Sequence, residues 1–182
     1  MIISITGKYC SGKDTVADIL KEKGFLHISL SDLIREEAAK RNMPATRENL
    51  ILLGNELRKQ FGAGVLAQRA VEGIRADKNY VITSIRNPGE VDVLKTKKDF
   101  VLVNIDVSLD IRWQRMQQRP NRPDALKTFE DFVRFEKEEA ESSDPAHIQI
   151  DKVIGMADIV IDNCGSLEEL KKKVNANMLS KL

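Results

Sequence analysis

Apolar positions fall into two kinds of stretch along the chain of 182 residues. Short, nearly continuous apolar runs open the sequence after Met1 and recur at Phe25–Leu30, Tyr80–Ile85, Phe100–Val107 and Ala157–Asp162. Each has the length and β-branched content of a strand buried on both faces. Longer stretches between them carry apolar residues at helical spacing, as in Val16, Ile19 and Leu20 opposite Asp18, Lys21 and Glu22. Thr46 to Gly62 reads as an amphipathic helix with a capping residue in front and a glycine stop behind. The alternation predicts an α/β protein whose parallel sheet is covered by helices on both sides. The length suits one domain with one core.

Composition removes several classes. Lys and Arg total 29 against 28 Asp and Glu, so a net charge of +1 provides no field for nucleic acid or a membrane surface. Cys10 and Cys164 lie far apart in sequence, which favours reduced thiols over a disulfide framework. No basic-flanked leader or membrane-length apolar run is present, and a cytoplasmic location is expected.

The first run passes directly into Gly7-Lys-Tyr-Cys-Ser-Gly12-Lys13, the spacing G-x-x-x-x-G-K, followed by an amphipathic helix. Such a loop turns backbone N–H groups onto a phosphate chain, and the helix directs its positive end at the same anion. Gly7, Lys8, Cys10, Ser11, Gly12, Lys13, Asp14 and Thr15 are therefore the expected nucleotide contacts, with Lys13 reaching the outer phosphates. The position after the lysine, where a hydroxyl usually meets Mg²⁺, holds Asp14.

Ligands of open parallel sheets sit beyond the carboxyl ends of the strands. The segments there are Ser31–Arg35, Arg86–Glu90, Asp106–Asp110 and Asn163–Gly165. Asp32 reads either as a helix N-cap or as an acid facing a substrate, with Arg35 one turn later. Arg86 follows the third strand, and a Pro88-Gly89 turn is expected to bring Glu90 near it. Arg112, Arg115 and Arg119 recur at helical spacing before Pro120, and Arg122 sits in the following loop. The bland reading of that stripe is pairing with Glu136–Glu141. His27 and His147 have no partners at metal-ligand spacing.

Ile28-Ser-Leu-Ser-Asp-Leu-Ile-Arg35 resembles the acceptor segment of nucleoside monophosphate kinases. The Gly12-Lys-Asp-Thr15 loop, the Arg47-Glu-Asn-Leu…Leu-Gly-Asn-Glu-Leu57 stretch and Arg86 are similar to the phage-type deoxynucleoside monophosphate kinases. Ser84 stands where those families carry an acid, which leaves Asp14, Asp106 or water beside the metal. Ala157–Leu170 resembles the end of dephospho-coenzyme A kinases, where the turn equivalent to Asn163-Cys-Gly165 borders the adenine of ATP.

The resemblance to the P-loop kinase superfamily implies a three-layer α/β/α fold with five parallel strands in the order 2-3-1-4-5. It implies one domain over 1–182, with an acceptor-binding helical lobe over 36–75 and a lid over 112–145. The activity implied is transfer of the γ-phosphoryl group of ATP, with Mg²⁺, to a nucleoside or deoxynucleoside monophosphate. Lys13, Arg115 and Arg119 are then charge stabilisers. Arg35, Arg58, Arg86 and Arg122 hold the acceptor together with Asp32. Asp14 and Thr15 lie on the metal side, and Arg115, Asn163 and Gly165 on the nucleotide side. Dephospho-coenzyme A is the alternative acceptor, with Asp32 as the base; a nucleotide-sensing module of low turnover is the alternative outside enzymes. A small phosphate acceptor is the expected partner, without nucleic acid or membrane, for a monomer or homodimer.

Overall fold

The computed structural model describes residues 1–118, 126–140 and 142–179. Five parallel strands, β1 (Ile2–Thr6), β2 (Leu26–Ser29), β3 (Tyr80–Thr83), β4 (Phe100–Asp106) and β5 (Ile159–Asp162), form one sheet in the order β2-β3-β1-β4-β5. That is the expected order. The strands coincide with the apolar runs, and β2, β3 and β4 end sooner: β3 stops at Thr83, because Ser84 turns to a left-handed conformation, φ 66°. A side chain of that type rarely adopts positive φ, so the chain leaves the sheet there by a specific turn.

Period-two alternation in β1 sends Ile3 and Ile5 to one face and Ile2 to the other. On the first face Ile3, Ile5, Val81, Val103 and Ile105 meet α1 (Lys13–Glu22) and α9 (Leu167–Val174) through Val16, Leu20, Leu170 and Val174. On the second face the sheet packs under α2 (Leu30–Lys40), α3 (Arg47–Phe61), α4 (Val65–Glu72), α5 (Pro88–Lys95) and α8 (Ile150–Gly155). Leu30, Leu53, Leu57, Leu66 and Leu94 are fully enclosed there. The helices of the 36–75 segment thus share the sheet's own core. α6 (Leu109–Gln117) and α7 (Phe129–Ala140) lie near the phosphate loop, with Phe132 buried among Cys10, Met116, Tyr9 and Trp113. A π-helical turn at Asn175–Leu179 extends α9.

One local reading stands and two need adjustment. α3 matches its expected ends, with the Thr46 hydroxyl accepting from Asn49 N–H and Gly62 at the stop. Asp32 is not a cap: α2 starts at Leu30, so Asp32 lies in the first turn, where its charge favours the helix dipole. Pro88-Gly89 is not a free turn either. Pro88 is the first residue of α5, where its missing N–H costs nothing, and Asn87 and Glu90 form a capping box in front of it.

Candidate functional site

The phosphate loop runs from β1 to α1 with φ 142° at Gly7, 59° at Cys10 and 94° at Gly12. A methyl group on Gly7 would lie 2.5 Å from the Ile105 carbonyl oxygen of β4, and one on Gly12 the same distance from Asn163 Nδ2. Glycine is required at both points by positive φ and by close approach. Asn163, buried just past β5, donates to the Ser11 carbonyl at 2.9 Å. Thr6 Oγ1 donates to the Ile85 carbonyl at 3.3 Å, which ties the loop's entrance to the turn carrying Arg86.

The Lys13 ammonium folds back into the loop, donating to the Gly7 and Lys8 carbonyls at 2.7 Å each and to Ser11 Oγ at 3.4 Å. The residue keeps some exposed surface, but its charged end is enclosed. Burial, and next the Arg86 guanidinium, hold its pKa down to about 8, against partial support from Asp14, Glu139 and Cys10. A polyphosphate against the loop favours the ammonium, so nucleotide binding above pH 8 draws a proton onto Lys13. The sign follows from linkage: affinity falls as pH rises through about 8, and uptake vanishes well below it. Calorimetry of ATP binding at pH 9 in two buffers of different ionisation enthalpy is expected to show net proton uptake; identical heats would contradict it.

Beside the loop a cavity of about 860 Å³ extends under α2 and α3. Gly12, Lys13, Asp14, Asp32, Arg35, Arg58 and Arg86 all line it, so the structure gathers these sequence-predicted residues at one place. Ile34, Leu50 and Ile51 form an apolar part of its wall. Arg35 lies against Asp32 Oδ1 at 2.7 Å and Ser31 Oγ at 3.0 Å, exposed enough to re-aim. Arg58 differs. It is 4% exposed, with Nε donating to Glu90 at 2.9 Å, Nη2 at 2.8 Å from the same oxygen and Nη1 directed to Asn55 at 3.4 Å. It borders the cavity as a strut rather than as an uncommitted cation. The other Glu90 oxygen accepts from the N–H groups of Arg86 and Asn87 at 2.8 and 3.1 Å, which positions the Arg86 turn.

On the loop's other side Arg115 Nη2 donates to the Asn163 carbonyl at 2.8 Å, while its Nη1 is enclosed without a partner among the described residues. A buried donor left open beside Gly12 fits an anion in that place. Arg112 is buried: its Nε donates to the Val107 carbonyl at 2.9 Å, and its guanidinium pairs with Glu136. The stripe therefore splits into a structural arginine and an open one. Arg119 and Arg122 lie outside the described residues. Lys8 pairs with Asp151 at 3.3 Å. Gly165 provides room for an N-cap, since a methyl there would collide with the Glu169 carboxylate that accepts from Ser166 N–H at 2.8 Å.

Asp14 lines the cavity, whereas Thr15, next on α1, does not. Among the described residues no group of three His, Cys, Asp or Glu side chains gathers as a metal cage. Mg²⁺ held against phosphates needs only one or two protein oxygens, and Asp14 meets that requirement.

Sequence reasoning passed over two features. Ser29, Ser31 and Ser84 bring their hydroxyls within 3.0–3.4 Å of one another at the ends of β2 and β3, with His27 Nε2 and Thr83 Oγ1 2.8 Å apart beside them. Small hydroxyl residues clustered past two strands were the available signal. Tyr9, inside the loop, meets Phe132 and Phe135 of α7 at centroid distances of 6.1 and 5.8 Å; nothing local announces that contact.

With this geometry the chain can be set beside known proteins. A family described as an AAA domain matches residues 3–144. A UPF0200 protein of Thermococcus kodakarensis is 32% identical over the full length of both chains. A UPF0200/UPF0201 protein of Archaeoglobus fulgidus is 30% identical over 98% of this chain, which spans 55% of that longer protein. Among solved structures, TT1252 from Thermus thermophilus superimposes with a TM-score of 0.60 at 22% identity, covering 100% of this chain and 97% of that one. Shikimate kinase from Acinetobacter baumannii in complex with shikimate gives 0.58 at 17% identity, over 99% and 93%. These two share the fold, a P-loop kinase fold. The match over most of the length assigns the chain to the AAA-domain family, and the full-length relative assigns it to the UPF0200 proteins.

Proposed function

We propose that the protein transfers the γ-phosphoryl group of ATP to a nucleoside or deoxynucleoside monophosphate. The observation that carries this reading is the cavity of about 860 Å³ where the phosphate loop, Arg35, Arg86 and the apolar wall of Ile34, Leu50 and Ile51 meet. Its volume is in the range of pockets that enclose a whole small ligand. Arginines suit the acceptor's phosphate and the apolar wall suits its base.

Phosphoryl transfer leaves the protein little covalent work. Charge has to be stabilised on the moving group while donor and acceptor are held in line. Loop N–H groups and Lys13 hold the outer phosphates of ATP, and Arg115 adds an open donor near Gly12. Arg86 and Arg35 orient the acceptor phosphate, which is already a nucleophile and needs no strong base. Asp14 would hold Mg²⁺, which when bound would supply positive charge to the donor phosphates.

The hydroxyl cluster of Ser29, Ser31 and Ser84, beside Asp32, favours a second reading with a hydroxyl acceptor such as dephospho-coenzyme A. There Asp32 takes the acceptor's proton. ADP release with ATP, Mg²⁺ and a panel of nucleoside monophosphates plus dephospho-coenzyme A separates the two. A monophosphate substrate is expected to tolerate Asp32→Asn within severalfold, whereas a hydroxyl acceptor loses about 10²–10⁴ in rate with its base. If no acceptor raises ADP above background, the phosphotransferase reading is wrong.

A further inference from the structure

Two arginines that line this cavity, Arg47 and Arg86, share one carboxylate. Glu139, near the end of α7, receives Arg86 Nη1 on Oε1 at 2.5 Å and Arg47 Nη2 on the same oxygen at 3.3 Å. All three side chains are largely enclosed, at 13% exposure for Glu139, 31% for Arg86 and 22% for Arg47. The same carboxylate acts on Lys13, where its field favours the ammonium. Two guanidinium groups on one oxygen, with the loop lysine nearby, is how a phosphoryl oxygen is held.

Packing delivers the carboxylate to that spot. The Arg47 guanidinium lies 3.8 Å from the Phe135 ring centre and 4.8 Å from that of Tyr9, so α7, α3 and the phosphate loop meet around it. Phe132, one turn earlier on α7, is fully buried. The helix is therefore anchored by apolar contacts, and Glu139 follows from its position on it.

Resting on the phosphotransferase reading, we infer that Glu139 is an internal stand-in for the phosphate of the acceptor. In the free protein it fills a site made by Arg47 and Arg86, and an incoming phosphate monoester takes that site by displacing it. A dianionic phosphate and a carboxylate cannot share one pair of guanidinium groups, because like charges at hydrogen-bonding range repel strongly. The phosphate brings more charge and more oxygens, so it wins where the carboxylate only holds the place. Arg47, on the first turn of α3, becomes an acceptor ligand alongside Arg86. Displacement also shifts α7, which links acceptor binding to the helix covering the phosphate loop.

The chain contains a built-in reporter. Trp113, its one tryptophan, packs against Phe129 and Phe132 of α7 with ring centres 5.7 and 5.6 Å apart. The experiment titrates the full chain, saturated with ADP so that the loop is filled, with inorganic phosphate. Trp113 emission and calorimetry are read together. In the wild type, phosphate is expected to shift the emission saturably. Glu139→Gln, with its competitor removed, is expected to bind phosphate about tenfold more tightly, while Glu138→Gln on the exposed side behaves as wild type. Unchanged or weaker phosphate binding by Glu139→Gln, with ADP binding intact, overturns the inference alone. So does wild-type emission that ignores phosphate, a result independent of whether the variant folds. Failure of ADP to bind the wild type overturns the phosphotransferase reading and this inference with it.

Discussion

Replacing Lys13 by alanine is expected to lower the rate of γ-phosphoryl transfer by about 10³ while leaving the melting temperature unchanged or slightly raised. The two halves come from different physics. In the proposed transfer, Lys13 carries its charge to the outer phosphates, and a donor aimed at developing charge in an enclosed site contributes several orders of ten in rate. In stability its contribution has the opposite sign. A pKa held down to about 8 means that the folded, ligand-free protein disfavours the ammonium relative to the unfolded chain, so deleting it removes a cost. Gly7 and Lys8 lose a donor to their carbonyls, and that loss offsets part of the gain. Single-turnover transfer from labelled ATP and thermal unfolding measure the two. Transfer within threefold of wild type would remove Lys13 from the mechanism. A large drop in melting temperature would mean that the lysine is a structural clip.

The same split between local and distant interactions explains what was legible in the sequence. The strand, glycine loop and helix at the start are set by neighbours within a dozen residues, and their order there is the expected one. Thr46 and Gly62 announce α3 because capping chemistry is local. The strand order was available only through resemblance. Strand ends were read too long because apolar character continues through Ser84-Ile85 after hydrogen bonding stops, at a residue of positive φ.

Side-chain roles were less accessible. Arg58 and Glu90 are 32 residues apart, and Arg86 and Glu139 are 53 apart. Nothing in a run of sequence states which arginine finds a carboxylate and which stays open. Arg112 and Arg115 sit on one stripe, yet the first is spent on Glu136 and Val107 while the second keeps a donor beside the loop that meets no partner among the described residues. Three steps of about 100° put the two about 60° apart around the helix, and packing of α7 decides the rest.

The largest effect on stability is expected at Glu90. Its carboxylate is fully buried and receives Arg58 on one oxygen and two backbone N–H groups on the other. Glu90→Ala leaves a guanidinium that is 4% exposed without its counter-ion, and it removes one half of the capping box of α5. Breaking a buried pair on one side costs about 3–5 kcal/mol, because the surviving charge stays out of water. Denaturant unfolding is expected to show a loss of that size. The double variant Arg58→Met with Glu90→Gln is expected to recover much of it, since the unpaired charge is gone and the amide oxygen still accepts from the α5 N-terminus. A double variant as unstable as Glu90→Ala would show that the ion pair itself, rather than the stranded arginine, supplies the stability. Function follows the same strut. Arg58 joins α3 to the turn that presents Arg86, so the double variant, although refolded, is expected to raise the acceptor KM more than the ATP KM. Were both unchanged, α3 and the Arg86 turn would be held in register by their apolar contacts alone, and the buried pair would have no part in shaping the acceptor side.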